Sequence, residues 1–344
     1  MLPEVADWFG RRTWQPPPWT AAELVAAKRG RTVSVVLPAL NEEQTVAHVV
    51  ETVRAAAVPA RPGDPPLVDD VLVMDGGSTD HTAQRALSAG ARVVDREQAL
   101  PGLAVRPGKG EVLWRALAAT DADLIVFVDA DLVDVEPALV VGLLGPLLTV
   151  DGVELVKGFY RRPLRLETAE AGTGGGRVTE LMARPLIARF APLAGGVVQP
   201  LGGEYAGTRE LLESLPFAAS YGVEIGLLLD TIATRGLDAV GQVDLGVRKH
   251  RNRTLLDLGV MAQEVLDTVL SRTAAGPSAA DPRAAGPTAA DPMERVMAHP
   301  TSELVQFVQQ DGIWTARSRP LALADRPPMR LMRAAAARHG SIET

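Results

Sequence analysis

The sequence predicts an α/β protein built on a mostly parallel sheet with helices on both faces. Strand and helix patterns alternate over residues 33–160, the order expected when crossover helices connect parallel strands. The strand patterns are continuous apolar runs rather than alternating ones, as in sheets that are buried on both faces. Acidic residues and glycines also collect where these runs end, at the edge where such sheets bind ligands.

Each strand and helix is predicted from a local sequence pattern. The first strand is the β-branched run TVSVVLPAL, and the helix after it has apolar residues at helical spacing, with Asn41 as its predicted N-cap. Further strands are predicted at VDDVLVMD, ARVVD, DLIVFVDA and VELVKGFYRR, and further helices at HTAQRALSAG, KGEVLWRALAAT and PALVVGLLGPLLTV. Three tryptophans and a PPP run lie within residues 1–30, which we predict to form an ordered arm packed on the body.

Composition narrows the classes of function. The 344 residues carry a net charge of -7, which weighs against nucleic acid as the main partner. They include no cysteine, which excludes disulfides, thiol catalysis and cysteine metal sites. No apolar run reaches membrane-spanning length, and the first residues lack the layout of a signal peptide. We therefore predict a soluble cytoplasmic protein with no nucleic-acid partner and no stable membrane insertion.

The stretch IVFVDADLVD ends a predicted buried strand with two carboxylates, Asp129 and Asp131. Carboxylates this close repel each other unless protons or a cation intervene, and carboxylate oxygens suit Mg²⁺ or Mn²⁺. The alternative is a turn in which Asp131 or Asp134 only caps the next helix. Two further strand ends, at residues 38–42 and 75–80, carry acids or glycines to the same crevice, which favours a ligand site.

Ten stretches of the chain carry a resemblance to known enzymes. VVLPALNEEQTV, VMDGGSTDHT, GKGEVLWRAL and FVDADLVD resemble the nucleotide-binding half of GT-A fold glycosyltransferases, whose DXD motif binds a metal. VKGFYRRPL, GGGRVTELMARPL, QPLGGEYAGTRELL, YGVEIGLLLDT, LGVRKHRNR and LADRPPM resemble the glucosyl-3-phosphoglycerate synthases and their mannosyl relatives. The match covers nearly all of residues 33–253 and the short LADRPPM stretch. It implies a Rossmann-like GT-A sheet, an acceptor-binding subdomain and a helical C-terminal extension.

The resemblance implies a retaining transferase that moves glucose from a nucleoside diphosphate glucose, with UDP-glucose favoured, to the 2-hydroxyl of 3-phosphoglycerate. The nearest alternative uses GDP-mannose and gives the mannosyl product. Another alternative is an inverting polyprenol-phosphate sugar synthase, which shares LPALNEE and DGGSTD but lacks GGGRVTEL. A non-enzyme alternative is a sugar-nucleotide sensor without turnover. The family also implies a Mg²⁺ or Mn²⁺ cofactor and a homodimer.

On the donor side, the resemblance assigns Asp131 to the metal, with His250 of RKHRNR as the second metal ligand. From the sequence alone, a histidine among basic residues is more often part of a solvated turn. Lys109 is implied to contact the donor; the alternative is an ordinary lysine at a helix start, and GKGE does not fit a Walker phosphate loop. The other implied donor contacts are Pro38, Ala39, Leu40, Glu42, Asp75, Gly76, Asp129, Ala130, Tyr221, Glu224 and Arg248. The family commonly has serine at the position of Gly76, so a hydroxyl contact is lost there.

The acceptor side rests on GTGGGRVTELMARPL. Consecutive glycines before a helix leave backbone N–H groups free for an anion, and Arg177 adds a fork of donors suited to carboxylate or phosphate. The alternative is a flexible linker with Arg177 in a surface salt bridge. The resemblance favours the anion cradle and implies acceptor contacts at Gly176, Arg177, Val178, Thr179 and Asn252.

Glu224 lies near the start of an apolar predicted helix, where a carboxylate can simply favour the helix dipole. The resemblance implies that Glu224 and Tyr221 face the donor sugar, and that Glu224 orients hydroxyls rather than attacking covalently. Glu224, Asp131 and Lys109 are then the implied catalytic residues. Their task is positioning and charge stabilisation, while the leaving phosphate takes the proton.

We predict four segments: an arm at residues 1–30, a nucleotide-sugar-binding half at 31–160, an acceptor-binding half at 161–254 and a helical extension at 255–344. The extension contains a duplicated decapeptide, AAGPSAADPR followed by AAGPTAADPM, whose prolines and glycines forbid a continuous helix. We predict a disordered loop at about residues 274–299, with helices on both sides, one of them at SELVQFVQQ. The terminal MRLMRAAAARHG is predicted to be an amphipathic helix or an oligomer contact.

Overall fold

The computed structural model describes residues 1–57, 64–161, 176–247, 254–273, 303–321 and 324–340. Its strands are β1 (Thr13–Trp14), β2 (Val33–Ala39), β3 (Asp70–Asp75), β4 (Arg92–Asp95), β5 (Leu124–Phe127), β6 (Leu155–Arg161), β7 (Tyr205–Thr208), β8 (Val240–Val247), β9 (Glu303–Gln310) and β10 (Ile313–Pro320). Within the described residues, eight of these strands form one sheet in the order β1-β8-β6-β7-β5-β2-β3-β4. Strand β7 runs antiparallel to β5 and β6, and the other neighbouring pairs of this sheet are parallel. The predicted mostly parallel sheet is confirmed.

Helices cover both faces of this sheet. They are α1 (Pro3–Arg12), α2 (Ala21–Lys28), α3 (Val46–Ala57), α4 (Thr82–Ser88), α5 (Arg96–Ala99), α6 (Lys109–Ala119), α7 (Ala138–Thr149), α8 (Arg184–Phe190), α9 (Arg209–Ser214), α10 (Val223–Arg235), α11 (Leu255–Thr273) and α12 (Met329–Gly340). Alternate β2 residues enter two apolar clusters: Val35 packs with α3 and α7, and Val36 packs with α6 and α10. No helix among the described residues is long and apolar enough to cross a membrane.

The N-terminal arm is ordered, as predicted. The indole N–H of Trp8 donates to the Val240 carbonyl oxygen at 2.8 Å, and the Trp8 side chain is buried. Strand β1 extends the sheet by pairing in parallel with β8, with Thr13 opposite Gln242. The arm therefore covers an edge of the sheet with a strand of its own.

Two local predictions at the carboxyl edge of the sheet are wrong. Asn41 does not cap α3: it has a φ of 58° and its side-chain oxygen accepts the Thr79 N–H at 2.9 Å, because it ties two loops together. Strand β5 ends at Phe127, before the end of the predicted strand DLIVFVDA, so Asp129 and Asp131 both lie beyond the strand. Their proximity is set by the turn after β5.

The C-terminal extension is not wholly helical. The predicted helix at SELVQFVQQ is instead β9, which forms an antiparallel hairpin with β10. Asp311 and Gly312 join the strands with φ values of 51° and 81°, and an Asp-Gly pair between two such runs is a strong hairpin signal that the helical interpretation overlooked. The predicted disordered loop lies outside the described residues, and the segment boundaries stay predictions.

A buried ion cluster ties the segment before α12 to α6. The Arg326 guanidinium donates to both oxygens of Glu111, at 2.5 and 2.8 Å, and to the Ala104 carbonyl oxygen at 2.6 Å. Glu111 also accepts from Arg115 at 2.6 Å, and the Trp114 indole N–H donates to the Pro327 carbonyl oxygen at 2.8 Å. This cluster, called the Arg326 latch below, holds the helix that begins at Lys109.

Candidate active site

An ion triad lies beside the carboxyl end of β5. The Lys109 ammonium contacts Asp129 Oδ1 at 2.5 Å and Glu224 Oε1 at 2.7 Å. Burial lowers the pKa of Lys109, but Asp129 and Glu224 outweigh it, so its pKa lies well above the ordinary value. A permanent cation therefore stands between two carboxylates, and three of the predicted site residues are brought together.

The local backbone explains how the triad assembles. Lys109 is the first residue of α6, where the helix dipole disfavours a positive charge. The ion pairs with Asp129 and Glu224 therefore stabilise Lys109 at this position. A Cβ at Gly110 would lie 1.9 Å from the Ala218 carbonyl oxygen. Only glycine therefore lets the first turn of α6 pack against the segment that leads into α10 and Glu224.

The nucleotide side of the crevice is formed by two linked loops. Asp75 ends β3, is buried, and accepts the Ser78 hydroxyl at 2.5 Å. Ser78 in turn accepts the Asn41 N–H at 3.0 Å, and the Glu42 N–H donates to Thr82 Oγ1 at 2.8 Å. The predicted donor residues of this edge thus lie close together: Pro38 and Ala39 within β2, Leu40 exposed beyond it, and Gly76 bonded through its N–H to the Ala39 carbonyl oxygen at 2.8 Å.

Two buried ionisable residues that were not predicted from the sequence lie beside the triad. Lys157, on β6, donates to the Gly202 carbonyl oxygen at 2.6 Å and lies 4.7 Å from the Tyr205 ring centroid. Glu204, just before β7, is 0% exposed, and neither of its side-chain oxygens has a hydrogen-bond partner among the described residues. The sequence does contain a signal for them, because each is a charged residue inside an apolar stretch, VKGFY or GGEYA. Charged residues are seldom fully buried unless they are paired.

Burial shifts the pKa values of both groups. It lowers the pKa of Lys157 to about 8, although the negative charge of Glu224 opposes the shift. Burial and then the charge of Asp129 raise the pKa of Glu204 to about 8. Both directions follow from the cost of a charge in a low-dielectric interior.

The acidic residues fit a hard divalent cation. Asp129 and Asp131 flank the buried Ala130, Asp131 Oδ1 is itself buried, and Glu204 adds two buried carboxylate oxygens nearby. Mg²⁺ and Mn²⁺ prefer such oxygen ligands. Among the described residues, no three acidic or histidine side chains form a complete ligand set, and the predicted ligand His250 lies outside them.

The acceptor residues are described in part. Gly176 to Thr179 begin a helical turn before α8, in which the Glu180 N–H donates to the Gly176 carbonyl oxygen at 3.0 Å. Arg177 is exposed, whereas Val178 and Thr179 are buried. Tyr221 is half-buried and its backbone N–H donates to Glu264 at 3.0 Å. Arg248 and Asn252 lie outside the described residues, so their contacts stay predictions.

The sheet, its carboxyl-edge crevice and the acidic pair define a GT-A fold glycosyltransferase, and residues 34–140 match the model of Glycosyl transferase family 2. The glucosyl-3-phosphoglycerate synthase of Mycolicibacterium smegmatis is 54% identical over 95% of this chain and 98% of its own length. Two crystal structures of the Mycobacterium tuberculosis synthase have TM-scores of 0.77. One, with Mn²⁺, UDP-glucose and phosphoglyceric acid, is 51% identical; the other, with Mg²⁺ and UDP, is 50% identical. They cover 93% of this chain and 98% and 99% of their own chains. The chain belongs to the glucosyl-3-phosphoglycerate synthase family.

Proposed function

We propose that the protein transfers glucose from UDP-glucose to the 2-hydroxyl of 3-phosphoglycerate, with retention of configuration and with Mg²⁺ or Mn²⁺ as cofactor. The observation that carries the proposal is the Lys109–Asp129–Glu224 triad at the sheet edge, in a chain 51% identical to a structure that holds Mn²⁺, UDP-glucose and phosphoglyceric acid. That related structure contains both a nucleotide sugar and phosphoglyceric acid.

The donor is held from two sides in this proposal. Asp75 and the linked loops of β2 and β3 hold the nucleoside, and Glu224 orients sugar hydroxyls. Glu224 is ion-paired to Lys109 at 2.7 Å, which supports an orienting role because an attacking carboxylate would have to give up that contact. A divalent ion held by Asp131, with His250 as second ligand, supplies charge neutralisation at the pyrophosphate when bound.

The acceptor is held by an anion cradle. The exposed guanidinium of Arg177 offers paired donors to a carboxylate or phosphate, and the start of the helical turn at Gly176 offers backbone N–H groups. Thr179 and Asn252 complete the contacts in this proposal. With the acceptor hydroxyl beside the departing phosphate, that phosphate accepts the proton, so the chain needs no base of its own.

We also propose a cytoplasmic homodimer. Val305, Phe307 and Trp314 lie on one face of the β9–β10 hairpin and are each more than half exposed. Large apolar side chains exposed together are characteristic of interaction surfaces. Light scattering coupled to gel filtration tests the dimer, and Trp314→Lys should shift it toward the monomer while Arg317→Lys on the same strand should not.

The test of the reaction is a matrix of donors and acceptors. UDP-glucose, GDP-glucose and GDP-mannose are each incubated with 3-phosphoglycerate, with Mn²⁺, Mg²⁺ or EDTA, and the products are analysed by mass spectrometry and NMR. We expect an α-glucosyl product from UDP-glucose that depends on the metal. Faster transfer from GDP-mannose would replace the glucosyl assignment by the mannosyl one, and binding without turnover would make the protein a sensor.

A further inference from the structure

Glu204 is a buried acidic residue that the proposed reaction leaves unused. It is fully buried, and both of its side-chain oxygens lack a hydrogen-bond partner among the described residues. A buried polar group without a partner costs free energy of folding, so such a group persists where a ligand satisfies it. The missing partner must be a donor or a cation.

The surroundings of Glu204 identify the kind of partner. Its neighbour Gly203 lies against the acidic pair, because a Cβ at position 203 would be 2.2 Å from Asp129 Oδ2. The negative charges of Asp129 and Asp131 both act on Glu204. Glu204 thus directly follows a residue that packs against Asp129, and acidic side chains gathered at the end of β5 attract a cation rather than a neutral donor.

Neither buried ammonium group satisfies Glu204. Lys109 is paired with Asp129 and Glu224, and Lys157 donates to the Gly202 carbonyl oxygen. Neither of the Glu204 side-chain oxygens has a hydrogen-bond partner among the described residues, so both are available to a divalent ion.

We propose that Glu204 belongs to the divalent-cation site, where its carboxylate strengthens binding of the ion held by Asp131. This deepens the proposed function, because it rests on a cation bound at the acidic pair. The role of Glu204 is positioning and charge: it supports binding of the ion and touches neither the glucose nor the acceptor.

The experiment measures Mn²⁺ binding directly, by electron paramagnetic resonance of free Mn²⁺, on full-length protein without nucleotide and again with UDP. Glu204→Gln keeps the shape and removes the charge. We expect its Kd for Mn²⁺ to rise by about tenfold or more, the usual effect of losing a group that supports a metal site. Asp131→Asn is the positive control, and Glu210→Gln, at a residue with a side chain 83% exposed on α9, is the negative control.

Thermal unfolding separates this role from a merely structural one. Without metal, Glu204→Gln should be as stable as the parent or more so, because the change keeps the shape and removes a buried acidic group whose charged form burial disfavours. The rise in Tm on adding Mn²⁺ should shrink. An unchanged Kd for Mn²⁺, or an unchanged metal-dependent rise in Tm, would overturn the proposal. The test reads metal binding alone, so a failure to transfer sugar would count against the proposed function and leave this inference standing.

Discussion

Replacing Arg326 by methionine should reveal how much the Arg326 latch contributes to stability. The change keeps an apolar stem but removes the guanidinium that donates twice to Glu111 and once to Ala104. Removing one partner of a buried ion pair costs about 3–5 kcal/mol. Glu111 keeps its bond from Arg115 at 2.6 Å, so we expect the lower end, about 3 kcal/mol, and a fall in Tm of about 4 °C.

The effect of Arg326→Met should also depend on pH. Burial raises the pKa of Glu111, but Arg326 and Arg115 outweigh it, so the pKa in the folded chain lies below the ordinary value. The contribution of ionised Glu111 is therefore present at neutral pH and is lost as the pH falls through its folded pKa. The stability gap between parent and variant should narrow below about pH 4.3, the ordinary pKa of glutamate.

Urea unfolding followed by circular dichroism at several pH values measures both effects. Arg319→Met is the matched control, because Arg319 pairs with Asp257 at 3.4 Å with both side chains well exposed. That control should cost less than about 1 kcal/mol. A cost of Arg326→Met no greater than that of the control at pH 7, or a cost that grows in acid, would contradict the stabilising role of the Arg326 latch.

Three further predictions concern the site and the extension. Asp131→Asn should lower turnover by about a hundredfold, because a charge is lost from the cation site, while the fold survives; near-normal activity in EDTA would contradict the metal assignment. Arg177→Ala should raise the KM for 3-phosphoglycerate strongly and leave the affinity for UDP-glucose, measured by calorimetry, nearly unchanged, with Arg189→Ala as the control. A loss of UDP-glucose affinity instead would show that Arg177 does not belong to the acceptor site. Deleting residues 274–293 should change the free energy of unfolding by less than about 1 kcal/mol and leave kcat unchanged, since loop-closure entropy varies slowly with length; a large loss would mean that the segment is packed.

The sequence predicted the parts of the fold that depend on local patterns. Continuous apolar runs located β2 through β6, helical spacing located α3, α4, α6 and α7, and the acidic pair marked the correct edge of the sheet. The reversed direction of β7 has no local signature, because a four-residue apolar strand reads the same in either direction. Strand direction follows from which neighbours remain available when the chain returns to the sheet.

In the candidate site, too, local motifs were predicted from the sequence and contacts between distant residues were not. Lys109 and Glu224 were implied separately by motifs, yet their 2.7 Å contact joins residues from two helices that no spacing rule connects. Glu204 and Lys157 were missed because each is one charge in an apolar stretch, and its meaning depends on neighbours far away in sequence. Asn41 was misassigned as a cap because its partner, Thr79, comes from another loop.

The pairing of β1 with β8 has a consequence for biosynthesis. The Trp8 indole and its Val240 acceptor are separated by 232 residues, and β1 is too short to form a sheet without β8. Trp8 is therefore synthesised 232 residues before the acceptor that its indole contacts, so it can reach its buried position only after the central strands have been made.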